Sequence, residues 1–147
     1  MPVIFKEITS DNFHDCIRLK VRDDQKFVAS NVYSIAQSKI EPKWLPRAIY
    51  HDETIVGFVM YELDYETNLL YLCRFMISEN HQHKGYGKDA LQVLKELAEN
   101  DAKIEKIELS TTPEKAYGIK VYEKFGFEDT GMIDDGEKVF VLNIRKQ

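Results

Sequence analysis

Residues 70–90, Leu-Tyr-Leu-Cys-Arg-Phe-Met-Ile-Ser-Glu-Asn-His-Gln-His-Lys-Gly-Tyr-Gly-Lys-Asp-Ala, run from an apolar strand pattern through a polar loop with two glycines into the start of a helix. This order constrains the fold more than any other feature of the chain. Gly85 and Gly87 carry no Cβ to hold a ligand off the backbone. The first amides of the helix that follows have no partners in their own turn and stand at the positive end of its dipole. The segment is therefore an anion cradle with room for a pyrophosphate, and the rest of the chain must place a sheet beneath it.

With 147 residues the chain is expected to form one domain, 1–147, burying roughly 70% of its unfolded surface. A hydrophobic fraction of 44% and a charged fraction of 31% describe an ordinary globular protein, and no apolar run reaches transmembrane length. Membrane insertion is excluded on that ground. The first residues, Met1-Pro-Val-Ile-Phe-Lys-Glu, lack the pattern of an export signal, so a cytoplasmic location is expected. Cys16 and Cys73 form no C-x-x-C and suit two reduced thiols rather than a disulfide or a zinc site. His81 and His83 alternate like ligands, but no thiol or carboxylate spacing completes a set around them, and no metal is expected. The net charge of −5 disfavours a nucleic-acid surface and favours a cationic partner.

Periodicity divides the chain into alternating elements. Val3 to Ile8 reads as a strand, and Ser10 and Asp11 as caps for a helix with Phe13, Cys16, Ile17 and Lys20 on one stripe. A helix is predicted over Asn31 to Ser38, followed by an extended connection at Pro42, Trp44-Leu45 and Pro46. Arg47 to His51, Thr54 to Tyr65 and Leu69 to Ile77 form an antiparallel meander. Ala90, Leu91, Leu94, Leu97 and Ala98 then recur at helical spacing up to Asn100-Asp101. Lys106 to Ser110 is a strand, and Thr112-Pro113-Glu114 caps a helix bearing Gly118, Val121, Tyr122 and Phe125 that ends at Gly126. Phe127 to Ile133 and Glu137 to Ile144 close the chain as a hairpin about Asp134-Asp135-Gly136.

Spacing sorts the phosphate-binding patterns open to these glycines. The Walker pattern is absent. Gly85-Tyr86-Gly87-Lys88-Asp89-Ala90 satisfies G-x-G-x-x-A, but seven residues separate it from Ile77, and too little chain follows to complete a doubly wound sheet. A third pattern fits: Gln82-x-x-Gly85-x-Gly87 after Phe75-Met76-Ile77, with Gly118-x-x-x-Tyr122-x-x-x-Gly126-Phe127 downstream. In these motifs and in its order of elements the chain resembles the GNAT superfamily of acyl-CoA-dependent N-acetyltransferases. Arg74-Phe75-Met76-Ile77, the Gln-x-Lys-Gly-x-Gly loop and Tyr122-Glu-Lys-Phe-Gly-Phe are most similar to bacterial spermine/spermidine acetyltransferases. The glycines alone would suit an ordinary helix cap; the distal Tyr122 element makes the difference.

The resemblance implies an α/β (α+β) fold. A mixed, mostly antiparallel sheet of about seven strands is flanked by helices, with one strand pair splayed to form a slot for acetyl-CoA. Amides from Gln82, His83, Lys84, Gly85, Tyr86, Gly87 and Lys88 would cradle the pyrophosphate, with the Lys84 and Lys88 side chains at its rim. The pantetheine arm would pair against the strand edge at Phe75, Met76 and Ile77. A main-chain amide there would face the oxyanion of a tetrahedral intermediate. Tyr122 is the candidate general acid for the departing thiolate, and its alternative role is that of a core tyrosine. No base is assigned: Cys73 stands where related enzymes often carry an acid, and water relayed to a carboxylate such as Glu62 is the substitute. Lys115 replaces a frequent CoA-contacting Asn, so that contact is not carried over.

Glu62, Asp64 and Glu66 alternate along one strand face and could hold a polycation, although a solvated strand end explains them equally well. The expected reaction is direct transfer of acetyl from acetyl-CoA to a small cationic polyamine. The alternatives are another amine (an amino sugar, an aminoglycoside, a peptide or protein N-terminus) and a non-catalytic acyl-CoA-binding regulator. A homodimer is compatible with an exposed edge in the final hairpin.

Overall fold

The computed structural model describes residues 3–20, 30–112 and 116–145, together with the backbone but not the side chains of Ala116 and Tyr117. The Pro113-Glu114 cap and Lys115 lie outside the described residues. Eleven elements follow in the order β1 (Ile4–Glu7), α1 (Phe13–Ile17), α2 (Asn31–Ile40), β2 (Leu45–His51), β3 (Thr54–Asp64), β4 (Leu69–Ile77), α3 (Tyr86–Glu99), β5 (Lys106–Thr111), α4 (Ala116–Phe125), β6 (Glu128–Asp134) and β7 (Glu137–Asn143). A 3-10 turn, Glu79–His81, leads into the glycine loop.

The strands form one seven-stranded sheet in the order β1-β2-β3-β4-β5-β7-β6. Every pairing is antiparallel except β4 with β5. That parallel pair is joined through α3, the crossover that parallel strands require. Pro46 sits inside β2, where the missing N–H is tolerated because β1 reaches only as far as Arg47.

Two apolar layers cover the two sheet faces. On one, Leu91 and Leu94 of α3 and Tyr122 of α4 pack on Val59, Leu70, Leu72, Ile107, Leu109 and Phe140. Burying each such leucine stabilises the fold by about 1.5–3 kcal/mol. On the other face, Cys16 of α1 and Ile35 of α2 pack with Phe58, Met60, Met76 and Trp44. From Gly57 onward, strand alternation sends odd β3 positions such as Val59 and Tyr61 to the α3/α4 layer and even positions such as Phe58 and Met60 to the α1/α2 layer, while a bulge at Val56 inverts the parity, so that Val56 joins the α3/α4 layer and Ile55 the other.

Several expected boundaries move. The first helix is capped at Asn12 rather than Ser10 or Asp11 and stops at Ile17, so Lys20 lies beyond it. The reason is local: Asn12 spends its side chain tying the loop, accepting from the Thr9 N–H at 2.8 Å and donating to the Glu7 carbonyl at 3.0 Å. α2 runs two residues further than Ser38, with Ser30 accepting from the Tyr33 amide as its cap. β3 ends at Asp64 and β5 extends to Thr111, while Gly126 closes α4 with φ 120°.

Candidate active site

The two central strands part. β4 and β5 pair only from Leu69–Lys106 to Leu72–Leu109, although β4 continues to Ile77 and β5 to Thr111. Each remains paired on its far side, β4 with β3 to Gly57 and β5 with β7 to Lys138. A register shift accompanies the parting: Met60 faces Arg74 but Tyr61 faces Leu72, so Cys73 is the extra residue of a bulge on β4. A slot opens past Leu72 and Leu109.

Hydrogen-bond directions show what faces this slot. The Ser78 amide donates to the Val56 carbonyl at 2.8 Å, and a Cβ on Gly57 would collide with the Met76 carbonyl oxygen. Met76 and Ser78 therefore turn their peptide groups toward β3. By alternation, those of Phe75 and Ile77 turn toward the slot. Of the three expected edge residues, Phe75 and Ile77 are placed there, and Met76 is not: its side chain is buried in the α1/α2 layer. The Ile77 carbonyl already accepts from Gln82 Nε2 at 2.8 Å, so the Gln82 side chain closes the glycine loop onto the end of β4.

The loop itself brings backbone donors to one place. Gly85 is the N-cap of α3 in the left-handed region (φ 86°), no side chain caps the helix, and a Cβ on Gly85 would meet open space. The first bond of the helix runs from the Asp89 amide to the Gly85 carbonyl. The Tyr86, Gly87 and Lys88 amides precede it and point out of the N-terminus. His83 also has positive φ (65°), which turns successive amides into a concave nest. Lys84 and Lys88 are exposed at its rim. Tyr86 points its ring inward, stacking on His51 with centroids 4.9 Å apart and lying 6.3 Å from His81, whose pKa is lowered by partial burial and then by Lys84. A Cβ on Gly87 would lie 4.0 Å from both Phe75 and Ile77, which sets the cradle against the slot edge. Diphosphate, extended amide arm and strand edge fit this arrangement in that order.

Tyr122 faces the same side. It is 9% exposed, its ring lies between those of Phe75 (6.5 Å) and Phe127 (5.8 Å), and burial alone pushes its pKa well above the ordinary phenol value. Such a phenol stays protonated at neutral pH and can only give a proton to a stronger base.

The opposite face holds groups that periodicity alone did not bring together. Tyr71 and Ser110, on β4 and β5 at the point of separation, are joined at 3.0 Å, and Ser110 Oγ donates to Glu137 Oε1 on β7 at 3.1 Å. Trp44 lies 6.1 Å from Tyr71, and Glu62 stands opposite it in register. Of the acidic stripe expected at Glu62, Asp64 and Glu66, Glu62 and Asp64 lie in β3, and Glu66 falls in the turn beyond it. Asp64 accepts from the Glu66 amide at 2.9 Å and the Thr67 amide at 3.3 Å, which lowers its pKa, ends the strand and puts Glu66 in the turn. Cys73 is half-buried; burial raises its pKa against the pull of Arg74, whose Nη1 lies 2.9 Å from the sulfur. The polar positions of Leu70-Tyr71-Leu72 and Leu109-Ser110-Thr111 carried the signal for this cluster, but it is readable only with the parallel register in hand.

The profile of the acetyltransferase (GNAT) family matches residues 7–127, which include the slot, the cradle and Tyr122. The chain belongs to the GNAT family. Over 98% of its length it is 32% identical to all of the spermine/spermidine N(1)-acetyltransferase of Bacillus subtilis (strain 168). An aminoglycoside N(6')-acetyltransferase type 1 of Klebsiella pneumoniae is 35% identical over 65 residues, 43% of this chain and 32% of the relative. The PaiA N-acetyltransferase of Thermoplasma acidophilum, solved with coenzyme A, superposes with a TM-score of 0.72 at 17% identity, covering 97% of this chain and 99% of that one. The mixed sheet flanked by helices is the GNAT fold, and the chain is an acyl-CoA-dependent N-acetyltransferase.

Proposed function

We propose that this GNAT enzyme moves the acetyl group of acetyl-CoA to a primary amine of a small polyamine such as spermine or spermidine, by direct attack within a ternary complex. The observation that carries the substrate class is the end-to-end similarity to a spermine/spermidine acetyltransferase; the similarity to aminoglycoside enzymes covers less than half of the chain. Glu62 on the α1/α2 face and a net charge of −5 agree with a cationic acceptor.

In this reading the Tyr86, Gly87 and Lys88 amides bind the diphosphate and the Phe75 and Ile77 edge takes the pantetheine amides. The amine attacks the thioester carbonyl, the carbon–sulfur bond breaks, and the sulfur receives the Tyr122 proton. An alkylammonium, with a pKa of about 10 by analogy with lysine, must first lose a proton.

The test follows CoA thiol release from acetyl-CoA with spermine, spermidine, amino sugars, kanamycin and short peptides as acceptors. Polyamine turnover at the highest kcat/KM is expected. Turnover restricted to kanamycin or another amine replaces the substrate class, and acetyl-CoA binding with no acceptor consumed leaves a regulator instead.

A further inference from the structure

The proton bookkeeping of the Tyr71–Ser110–Glu137 chain has one solution. Ser110 has a single hydroxyl proton, and it is committed to the Glu137 carboxylate, which when ionised only accepts. The 3.0 Å contact between Tyr71 and Ser110 must then be a bond donated by the Tyr71 hydroxyl. The phenol oxygen of Tyr71 is left with its lone pairs available to an incoming N–H donor. This oxygen belongs to the penultimate paired residue of β4, and Ser110 is the first β5 residue past the final pair, Leu72–Leu109. The chain of three groups thus starts where the slot begins, on the face opposite Tyr122 and α3.

The geometry points to Tyr71 as the group that receives the acceptor ammonium's proton, passing its own through Ser110 to Glu137. This role rests on the acetyl-transfer reading above, and it supplies the base that the Cys73 position lacks. The nitrogen gives up one proton before attack and a second as the tetrahedral intermediate collapses. One of the two is matched by the proton that ends on the CoA sulfur, and the other leaves through Glu137 to water. The N–C bond forms as the C–S bond breaks, and no further reactant is needed. Tyr71 touches the substrate in this scheme, while Ser110 and Glu137 act through it.

The charged and titratable groups facing Tyr71 are Glu62 on β3, Cys73 on β4 with the Arg74 guanidinium 2.9 Å from its sulfur, Glu108 on β5 and Glu137 on β7. Beyond the Trp44 ring, Lys43 lies with its Nζ 4.9 Å from the indole centroid. Carboxylates outnumber cations here, so the surroundings favour an approaching ammonium, and only Glu137 is wired to Tyr71 by hydrogen bonds.

Tyr71→Phe, Ser110→Ala, Glu137→Gln and Ser110→Thr are compared with wild type in steady-state assays from pH 6.5 to 10. The acceptor is spermidine, or whichever amine of the panel above the wild type acetylates instead, and acetyl-CoA affinity is read separately by calorimetry. The first three variants are expected to lose about a hundredfold in kcat at pH 7. The deficit should shrink as the pH nears the amine's own pKa of about 10, where the proton is already gone. Ser110→Thr, which keeps the hydroxyl, should stay near wild type, and acetyl-CoA affinity should not move. Unchanged kcat, a deficit equal at every pH, or Ser110→Thr as impaired as Ser110→Ala each overturns the relay and leaves the acetyltransferase reading standing. A wild-type protein that acetylates none of the amines of the panel above overturns both.

Discussion

Two tyrosines flank the slot, and their surroundings give them opposite capacities. Tyr122 is enclosed by Phe75 and Phe127 with its pKa raised by burial alone, so its hydroxyl holds its proton until a base as strong as a thiolate forms beside it. Tyr71 is also raised by burial, but its hydroxyl is engaged with Ser110 and its oxygen is open to a donor. Tyr122→Phe keeps the ring packing and removes only the oxygen. Turnover should fall by about a hundredfold, the range of a lost general acid, with acetyl-CoA affinity and melting temperature close to wild type. The deficit should persist across pH 6.5 to 9, because Tyr122 does not ionise there. Stopped-flow or coupled thiol release together with calorimetry checks this, and unchanged turnover assigns Tyr122 to packing alone.

At the level of elements, α3 is bare at one end and tied at the other. Its N-terminal amides stay open for the diphosphate, while Arg145, after the last strand, donates to the Ala98 carbonyl at 3.1 Å and to the Glu99 and Ile104 carbonyls. A cation at a helix C-terminus also complements the dipole. Arg145→Ala should cost about 1–3 kcal/mol in urea unfolding through the orphaned carbonyls, with acetyl-CoA affinity nearly intact because the cradle lies at the far end. A large loss of affinity without a loss of stability would reassign Arg145 to the ligand. This cap also marks where the sequence stops being readable. The order of elements follows from short-range periodicity and stands in the structure as read, and local motif alone picks out the glycine loop and the Tyr122 stripe. Arg145 lies 47 positions from Ala98, and the Tyr71–Ser110–Glu137 chain joins three strands, so neither leaves a local pattern. Glu66 misled for the converse reason: alternation is only a rule for strands, and the Asp64 carboxylate ends the strand by accepting two turn amides, one of them that of Glu66.

Across the whole molecule, the buried acids of high pKa act in one direction. Burial pushes Cys16 up to about 12 and raises Tyr61, Tyr71, Cys73 and Tyr122. Each is neutral in the folded protein at pH 8, and each would ionise in the unfolded chain at its ordinary value, about 8.5 for a thiol and about 10 for a phenol. A raised folded pKa means that the folded state holds the proton more tightly, so the stability from these groups is complete below the unfolded value. It is lost progressively as the pH climbs from about 8.5 toward 12. The limiting slope is about 1.4 kcal/mol per pH unit for each group that ionises only on unfolding. Urea midpoints should therefore be flat from pH 7 to 8 and fall steeply above pH 9. Repulsion within a chain of net charge −5 would also weaken the fold at high pH, but it acts between solvated charges and is screened at 1 M salt, where the Debye length is about 3 Å. The decline should accordingly survive in 1 M sodium chloride and become shallower in Tyr122→Phe. If the decline disappears in salt, surface repulsion is its source and these side chains are in contact with water.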